Sequence, residues 1–222
     1  MLLLAFDTAT PAVTVALHDG QRVLAEVSTV DARRHGELLA PSIAKVLAGA
    51  EPRDLTGIVV GVGPGPFTGL RVGVVTARVF SRTLGIPVHG ICTLDALARA
   101  AVDAQAVDAE ATSPDFLAVT DARRKELYWG RYSATGARLD GPAVNRPDDL
   151  PAGLPIAGQA VSLYPALGQS IWPEHPSAAV LATLAAERLA PGGDATGLLP
   201  PEPLYLRRPD AQIPGKPKRV TS

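Results

Sequence analysis

The stretch Gly61-Val-Gly-Pro-Gly-Pro-Phe-Thr-Gly-Leu-Arg-Val-Gly73 decides how this chain reads. It follows a short apolar run of β character, Gly57–Val62, and leads into a helical segment over 68–84 that stops at Gly85 with Pro87 beyond it. A strand that turns through glycines into a helix is the repeating step of an α/β fold. Downstream, Pro87–Ile91 reads as a further strand, followed by a helix from Thr93 to about Val102. Upstream, Leu2–Phe6, Ala12–Leu17 and Arg22–Thr29 read as three antiparallel strands, and Asp19-Gly20 supplies the hairpin signal between the last two. Between 34 and 48 the pattern becomes helical: Leu39, Ile43, Val46 and Leu47 make one apolar stripe. Pro41 either kinks that helix or marks its true start.

The polar, alanine-rich stretch 103–114 places a boundary, dividing the chain into an N-terminal subdomain, 1–103, and a C-terminal one, 114–222. In the second, Phe116–Thr120 and Glu126–Tyr132 read as a hairpin around Asp121-Ala-Arg-Arg-Lys125, and Leu154–Ala157 as a strand. Pro176 suits the start of a helix striped by Leu181, Leu184, Ala185 and Leu189. No repeat of 20–50 residues is visible.

Composition narrows the function classes. The chain has 222 residues, 46% hydrophobic and 19% charged, with a formal net charge of −1. That balance is globular, and near-neutrality argues against a stand-alone nucleic-acid binder. Fourteen of the 21 prolines fall in 142–222, so the last third is the irregular part. Residues 205–222 carry a local +4, and 209–222 reads as a basic, flexible tail. The single cysteine, Cys92, excludes an internal disulfide framework and reads as a small core residue. The six-residue apolar run Met1–Phe6 is too short for a signal peptide or a membrane span, so a cytoplasmic protein is expected.

The chemistry-bearing motifs each allow two readings. The glycine loop could cradle phosphate on backbone N–H groups, but Leu70 stands where a P-loop has lysine, and Pro64 and Pro66 lack N–H. The other reading is a rigid turn in which Thr68 caps the helix. Asp7-Thr8, ending the first strand, could hold a hydrated metal or a phosphate; alternatively Asp7 accepts N–H bonds in its own turn. Gly69, Gly73 and Ala77 recur every four residues, leaving a groove for another helix, either from this chain or from a second subunit. His18, His35, His89 and His175 show no i,i+4 pair, so no metal site is expected. Nothing assembles a nucleophile, base and orienter, so no catalytic residue is assigned.

Five segments in order resemble the TsaB/YeaZ family. They are Leu4-Ala-Phe-Asp-Thr-Ala-Thr10, Arg34-His-Gly-Glu-Leu-Leu-Ala-Pro41, the stretch Gly63–Gly73, Asp121-Ala-Arg-Arg-Lys-Glu-Leu-Tyr128 and Pro203-Leu-Tyr-Leu-Arg207. Gly36 and Pro66 stand where the family commonly has serine. The resemblance implies an ASKHA fold (actin-like, ribonuclease H-like) of two tandem α/β subdomains, each with a mixed sheet and packed helices. It also implies a non-catalytic scaffold and dimerisation subunit in making N6-threonylcarbamoyladenosine at position 37 of tRNA. The implied partners are a TsaD-like paralogue and a TsaE-like ATPase, with tRNA met only through the complex and a homodimer formed by the lone subunit. ATP and a TsaD-bound metal belong to the complex; this chain is expected to bind no cofactor itself. The paralogue's HxxxH metal pair corresponds here to Thr93 and Leu97, which cannot replace imidazoles. The family's contact through its first two helices implies an interface of His35, Leu38, Leu39, Ile43, Val46, Gly69, Gly73 and Ala77, weakened by Gly73→Leu. Asp7, Thr8, Gly63, Gly65 and Thr68 would then be a vestigial nucleotide or phosphate site. The alternatives are an ATP-binding actin-like phosphotransferase using those residues and, from the family's older glycoprotease-like naming, a metallopeptidase.

Overall fold

A computed structural model describes residues 1–105 and 115–207. The expected boundary at 103–114 and the basic tail 209–222 therefore lie largely or wholly outside the described residues. Strands β1 (Leu3–Asp7), β2 (Ala12–His18) and β3 (Val23–Val30) form an antiparallel meander. Helix α1 (His35–Val46) leads to β4 (Gly57–Gly61), parallel to β1; helix α2 (Phe67–Leu84) leads to β5 (Val88–Ile91), parallel to β4. After α3 (Thr93–Gln105) the plan begins again with an antiparallel meander: β6 (Phe116–Arg123), β7 (Glu126–Tyr132) and β8 (Arg138–Asn145). Next come β9 (Ile156–Ala157), α4 (Ala160–Leu163), β10 (Ser170–Ile171) and α5 (Ala178–Leu189).

The two sheet orders, β3-β2-β1-β4-β5 and β8-β7-β6-β9-β10, are the same topology twice. The chain thus does contain a repeat, of a whole sheet rather than of 20–50 residues. Elements β8, α4 and β10 have no counterpart among the elements expected from the sequence. The last two are only four and two residues long, and β8 is exposed or half-buried throughout, so none carries an apolar period.

Burial follows from the pleat. Leu4, Phe6, Ile58 and Val60 face one side of the first sheet, beneath Leu39, Ile43 and Val46 of α1 and Leu70, Val74 and Ala77 of α2. Their strand neighbours Leu3, Ala5 and Val59 face the other side, under Leu181, Ala182 and Ala185 of α5. A sheet covered on both faces needs the continuous apolar runs that β1 and β4 show. Pro41 lies inside α1, on an exposed position, where its ring and missing N–H disturb only the solvent side.

The helices are exchanged between the halves. Leu94, Leu97, Ala98 and Ala101 of α3 pack on Phe116, Ala118 and Tyr132 of the second sheet, whereas α5 crosses back onto the first. Packing therefore does not follow a cut between 1–103 and 114–222. Arg99 of α3 clamps the exchange with a bidentate pair to Glu187 of α5 at 2.7 and 2.8 Å, and bonds Asp103 at 2.8 Å.

Cys92, between β5 and α3, is fully buried, and burial pushes its thiol up to about 12. The native thiolate fraction near neutral pH should fall roughly 10³-fold below that of a free thiol. Alkylation by iodoacetamide at mild pH is therefore expected to require unfolding, which a comparison with and without denaturant would show. Among the described residues no helix is long and apolar enough to cross a membrane.

Candidate functional site

The end of β1, the glycine loop and the first turns of α1 and α2 converge beside the start of α3. Asp7 is buried, with both oxygens occupied. Oδ1 accepts the Ala9 N–H at 2.6 Å, the turn reading of this residue, and Oδ2 accepts the Thr93 hydroxyl at 2.6 Å. Thr93 in turn accepts the Gly63 N–H at 3.1 Å, so one hydroxyl ties β1, the loop and α3 together. Gly61 is glycine because a Cβ there would collide with the Asp7 carboxylate.

Burial raises the Asp7 carboxyl above its ordinary value; the Thr93 and Ala9 bonds and the nearby His35 oppose the rise. A raised value means that this group's stabilisation is complete below the unfolded pKa and is lost as pH climbs through the folded one. Asp7→Asn does not titrate, so its stability relative to wild type should improve as pH rises above the unfolded carboxylate value of about 4. Thermal melts of both proteins across that rise check the sign; a constant difference would show that Asp7 does not titrate as its burial requires.

Thr8 is also committed. Its hydroxyl donates to the Gly69 carbonyl at 2.7 Å and accepts the Gly73 N–H at 3.0 Å, bridging the two ends of one α2 rung. A Cβ on Gly73 would sit 2.7 Å from that hydroxyl. The small-residue face of α2 is thus turned inward onto Thr8 and Val60 of its own chain, and is not an open groove. Leu39, Ile43 and Val46 are likewise buried in the first core. The half-buried His35 donates from Nε2 to the Thr10 carbonyl at 2.7 Å, pinning the start of α1, and half-buried Leu38 packs on the same core. Seven of the eight residues grouped as an interface are therefore held by their own chain through buried packing or, at His35, a hydrogen bond. Thr8→Val should cost about 1–2 kcal/mol, since the rung can close on itself but the link to β1 is lost; chemical denaturation measures it.

The expected cap is also different. Helix α2 starts at Phe67 with Pro66 as N-cap and no side-chain cap bond, and Thr68 lies exposed in its first turn. Thr8, His35, Thr68 and Gly69 line a cavity of about 300 Å³ that also receives Asp121 and Arg123 from the second half. Gly63 and Gly65 are buried, Gly65 so close to Ala9 that a Cβ would strike its carbonyl. The Asp7 carboxylate and Thr8 hydroxyl are both used internally, and Pro64 and Pro66 offer no backbone donor to a phosphate. Among the described residues no cluster of three His, Cys, Asp or Glu could hold a metal ion.

What α2 presents outward is a different stripe. Phe67, Arg71, Val75 and Val79 recur every four residues, two positions and so about 200° away from Gly69, Gly73 and Ala77. Phe67, Val75 and Val79 are 45, 54 and 56% exposed. A shallow groove runs along Phe67, Arg71 and Val75, beside Val72, Thr76 and Gly36 at the head of α1. At its end Tyr205 stacks on Phe67, with ring centroids 5.1 Å apart, and the Arg71 guanidinium lies 4.8 Å from the same ring. The segment around Tyr205 stitches the halves: Leu204 N–H donates to the Val62 carbonyl at 2.8 Å, and Arg207 donates to the Ala122 carbonyl at 3.2 Å. Sequence reasoning passes over Val75 and Val79. Their four-residue period is visible, but two isolated valines on a helix do not reveal which face is uncovered.

Two tandem sheets of one topology, with exchanged helices and an acid-ended first strand at their junction, define the actin-like ASKHA class of α/β proteins. A family model described as TsaD, tRNA N6-adenosine threonylcarbamoyltransferase, matches residues 22–164. The chain is 43% identical over 221 residues to an uncharacterized protein of Mycobacterium tuberculosis, covering 95% of this chain and 93% of that one. It is 28% identical over 239 residues to the tRNA threonylcarbamoyladenosine biosynthesis protein TsaB of Escherichia coli, covering 97% and 100%. The solved structure of YeaZ from Pseudomonas aeruginosa superposes with a TM-score of 0.75 at 28% identity, covering 92% of this chain and 99% of that one. The chain belongs to the TsaB/YeaZ family.

Proposed function

We propose that this chain is a non-catalytic scaffold subunit in the biosynthesis of N6-threonylcarbamoyladenosine on tRNA, acting in the cytoplasm. Its partner is a TsaD-like paralogue, which carries the metal and the transfer chemistry; a TsaE-like ATPase joins the pair, and tRNA is met through the assembly. The role in this pathway follows from family membership. The observation that carries the scaffold reading is the outward stripe of α2, an apolar strip on a helix whose other face is already locked to its own sheet. A paralogue of the same fold would bring an equivalent helix, and two such strips packed together would bury what each leaves in water. The same strip would let the lone chain pair with a second copy when the paralogue is missing. The internal bonding of Asp7 and Thr8 supports a subunit without its own phosphoryl chemistry.

The test is to mix the purified chain with the TsaD-like protein of its own organism and follow both by size-exclusion chromatography with light scattering. Co-elution as a heterodimer is expected, with the lone chain running as a homodimer. Depletion in the cell should lower threonylcarbamoyladenosine in bulk tRNA. Separate elution together with undiminished modification would overturn the reading.

A further inference from the structure

A cavity of about 1040 Å³ lies in the second half and shares no lining residue with the β1 junction cavity or the α2 groove. Its size is at the upper end of small-molecule sites. Its walls are apolar: Leu150 and Ile156 at the base, with Leu163, Leu167 and the half-buried ring of Tyr164 above. Pro147, Pro151 and Pro165 stiffen the turns that hold them. Arg124, Lys125 and Arg146 also line it, with Asp148 as the single carboxylate among the described lining residues.

The cations sit on an unusual support. The β6–β7 connection is the two-residue turn Arg124-Lys125, with φ of 53° and 60°, and Arg123 before it also has a φ of 64°. A two-residue hairpin with both central residues left-handed is the turn for which Asn-Gly is strongly preferred. Here the chain places two long cationic side chains in that conformation, next to a cavity. Non-glycine residues held left-handed persist where surrounding structure enforces them, and they concentrate at binding sites. Among the described residues Lys125 and Arg146 have no ion-pair partner, so their charge is uncompensated at the mouth.

We propose that this cleft binds a nucleoside phosphate, with the base against the apolar wall and Tyr164 and the phosphate on Lys125 and Arg146. The open, proline-stiffened slot suits a flat ring better than a long acyl chain. Lys125 and Arg146 against one carboxylate among the described lining residues suit a phosphate better than a neutral ligand. Two sources share this chemistry, a free nucleotide and a nucleotide within single-stranded RNA. The net charge of −1 does not oppose the second, because the cations are gathered at one mouth.

The experiment titrates the full chain with AMP and ATP by calorimetry, and with a labelled single-stranded oligoribonucleotide by fluorescence anisotropy. Wild type is expected to bind at least one of these probes; mononucleotides alone would identify a free nucleotide, the oligonucleotide alone an RNA segment. The double variant Lys125→Gly/Arg146→Gln keeps Arg124, relieves the left-handed turn and removes only cations without partners, so it should melt no lower than wild type. Its affinity should fall about tenfold or more, the effect of losing a charge-assisted bond, with a shallower salt dependence in the RNA arm. A charge placed on the α2 stripe should leave binding unchanged, which separates this site from the scaffold reading. No binding of any probe by wild type, or equal binding by the double variant, would overturn the proposal.

Discussion

Gly73→Leu is expected to leave little folded protein. By sequence spacing alone, the substitution fills a groove between subunits and weakens a dimer; the structure moves its effect into the monomer. A Cβ at this position lies 2.7 Å from the Thr8 hydroxyl and 3.6 Å from Val60, and both neighbours belong to the wall between α2 and the first sheet. Thr8 cannot yield without giving up its bonds to the Gly69 carbonyl and the Gly73 N–H. The three further carbons of leucine would then have to enter a core that is already filled by Leu4, Phe6, Val60 and Val74. Overpacking and the stranded polar groups together should cost about 4 kcal/mol or more, against a total stability of roughly 5–15 kcal/mol. Gly73→Ala provides the graded control. It adds one carbon and gains helix propensity, so a loss of about 1–2 kcal/mol is expected. Soluble yield, and denaturation midpoints where protein is obtained, decide the matter; a stable monomer of Gly73→Leu would make this face of α2 an open surface again.

The second large effect is expected where the fold will not register it. Val75→Asp/Val79→Asp changes two side chains more than half exposed, so the stability of the isolated chain should move by no more than about 0.5 kcal/mol per site. Against a partner helix the same change buries two carboxylates in an apolar seam, and affinity for the TsaD-like subunit should fall at least about 100-fold. The homodimer of the lone chain should dissociate in parallel. Size exclusion gives the assembly state and a thermal melt gives the fold. Intact complexes from the double variant would remove α2 from the interface and leave the scaffold proposal without its main support.

Much of the fold is legible in the sequence because its signals are local. Helices expected over 34–48 and 68–84 occur at 35–46 and 67–84, and the first meander lies within one residue of its expected strands. Runs such as Leu3–Asp7 and Gly57–Gly61 are apolar on both pleat faces because helices cover both sides of that sheet. The role of Asp7 is half legible: its turn geometry is a local property, whereas its bond to Thr93 joins residues 86 positions apart. The exchanged packing of α3 and α5 is invisible for the same reason. An apolar stripe such as Leu181, Leu184 and Ala185 states that a face will be buried without naming the sheet that buries it. The basic cleft of the second half draws its walls from several separate turns, so no motif could announce it.

On α2 the division is sharpest. The sequence by itself determined that the helix would exist, that Gly69, Gly73 and Ala77 would share one face, and that Phe67, Arg71, Val75 and Val79 would share another, because 3.6 residues per turn follows from the backbone alone. Only the tertiary structure decided which face is spent inside and which remains for a partner. Small residues admit close approach from either kind of neighbour, and it is the Thr8 hydroxyl, carried there by β1, that fills the space.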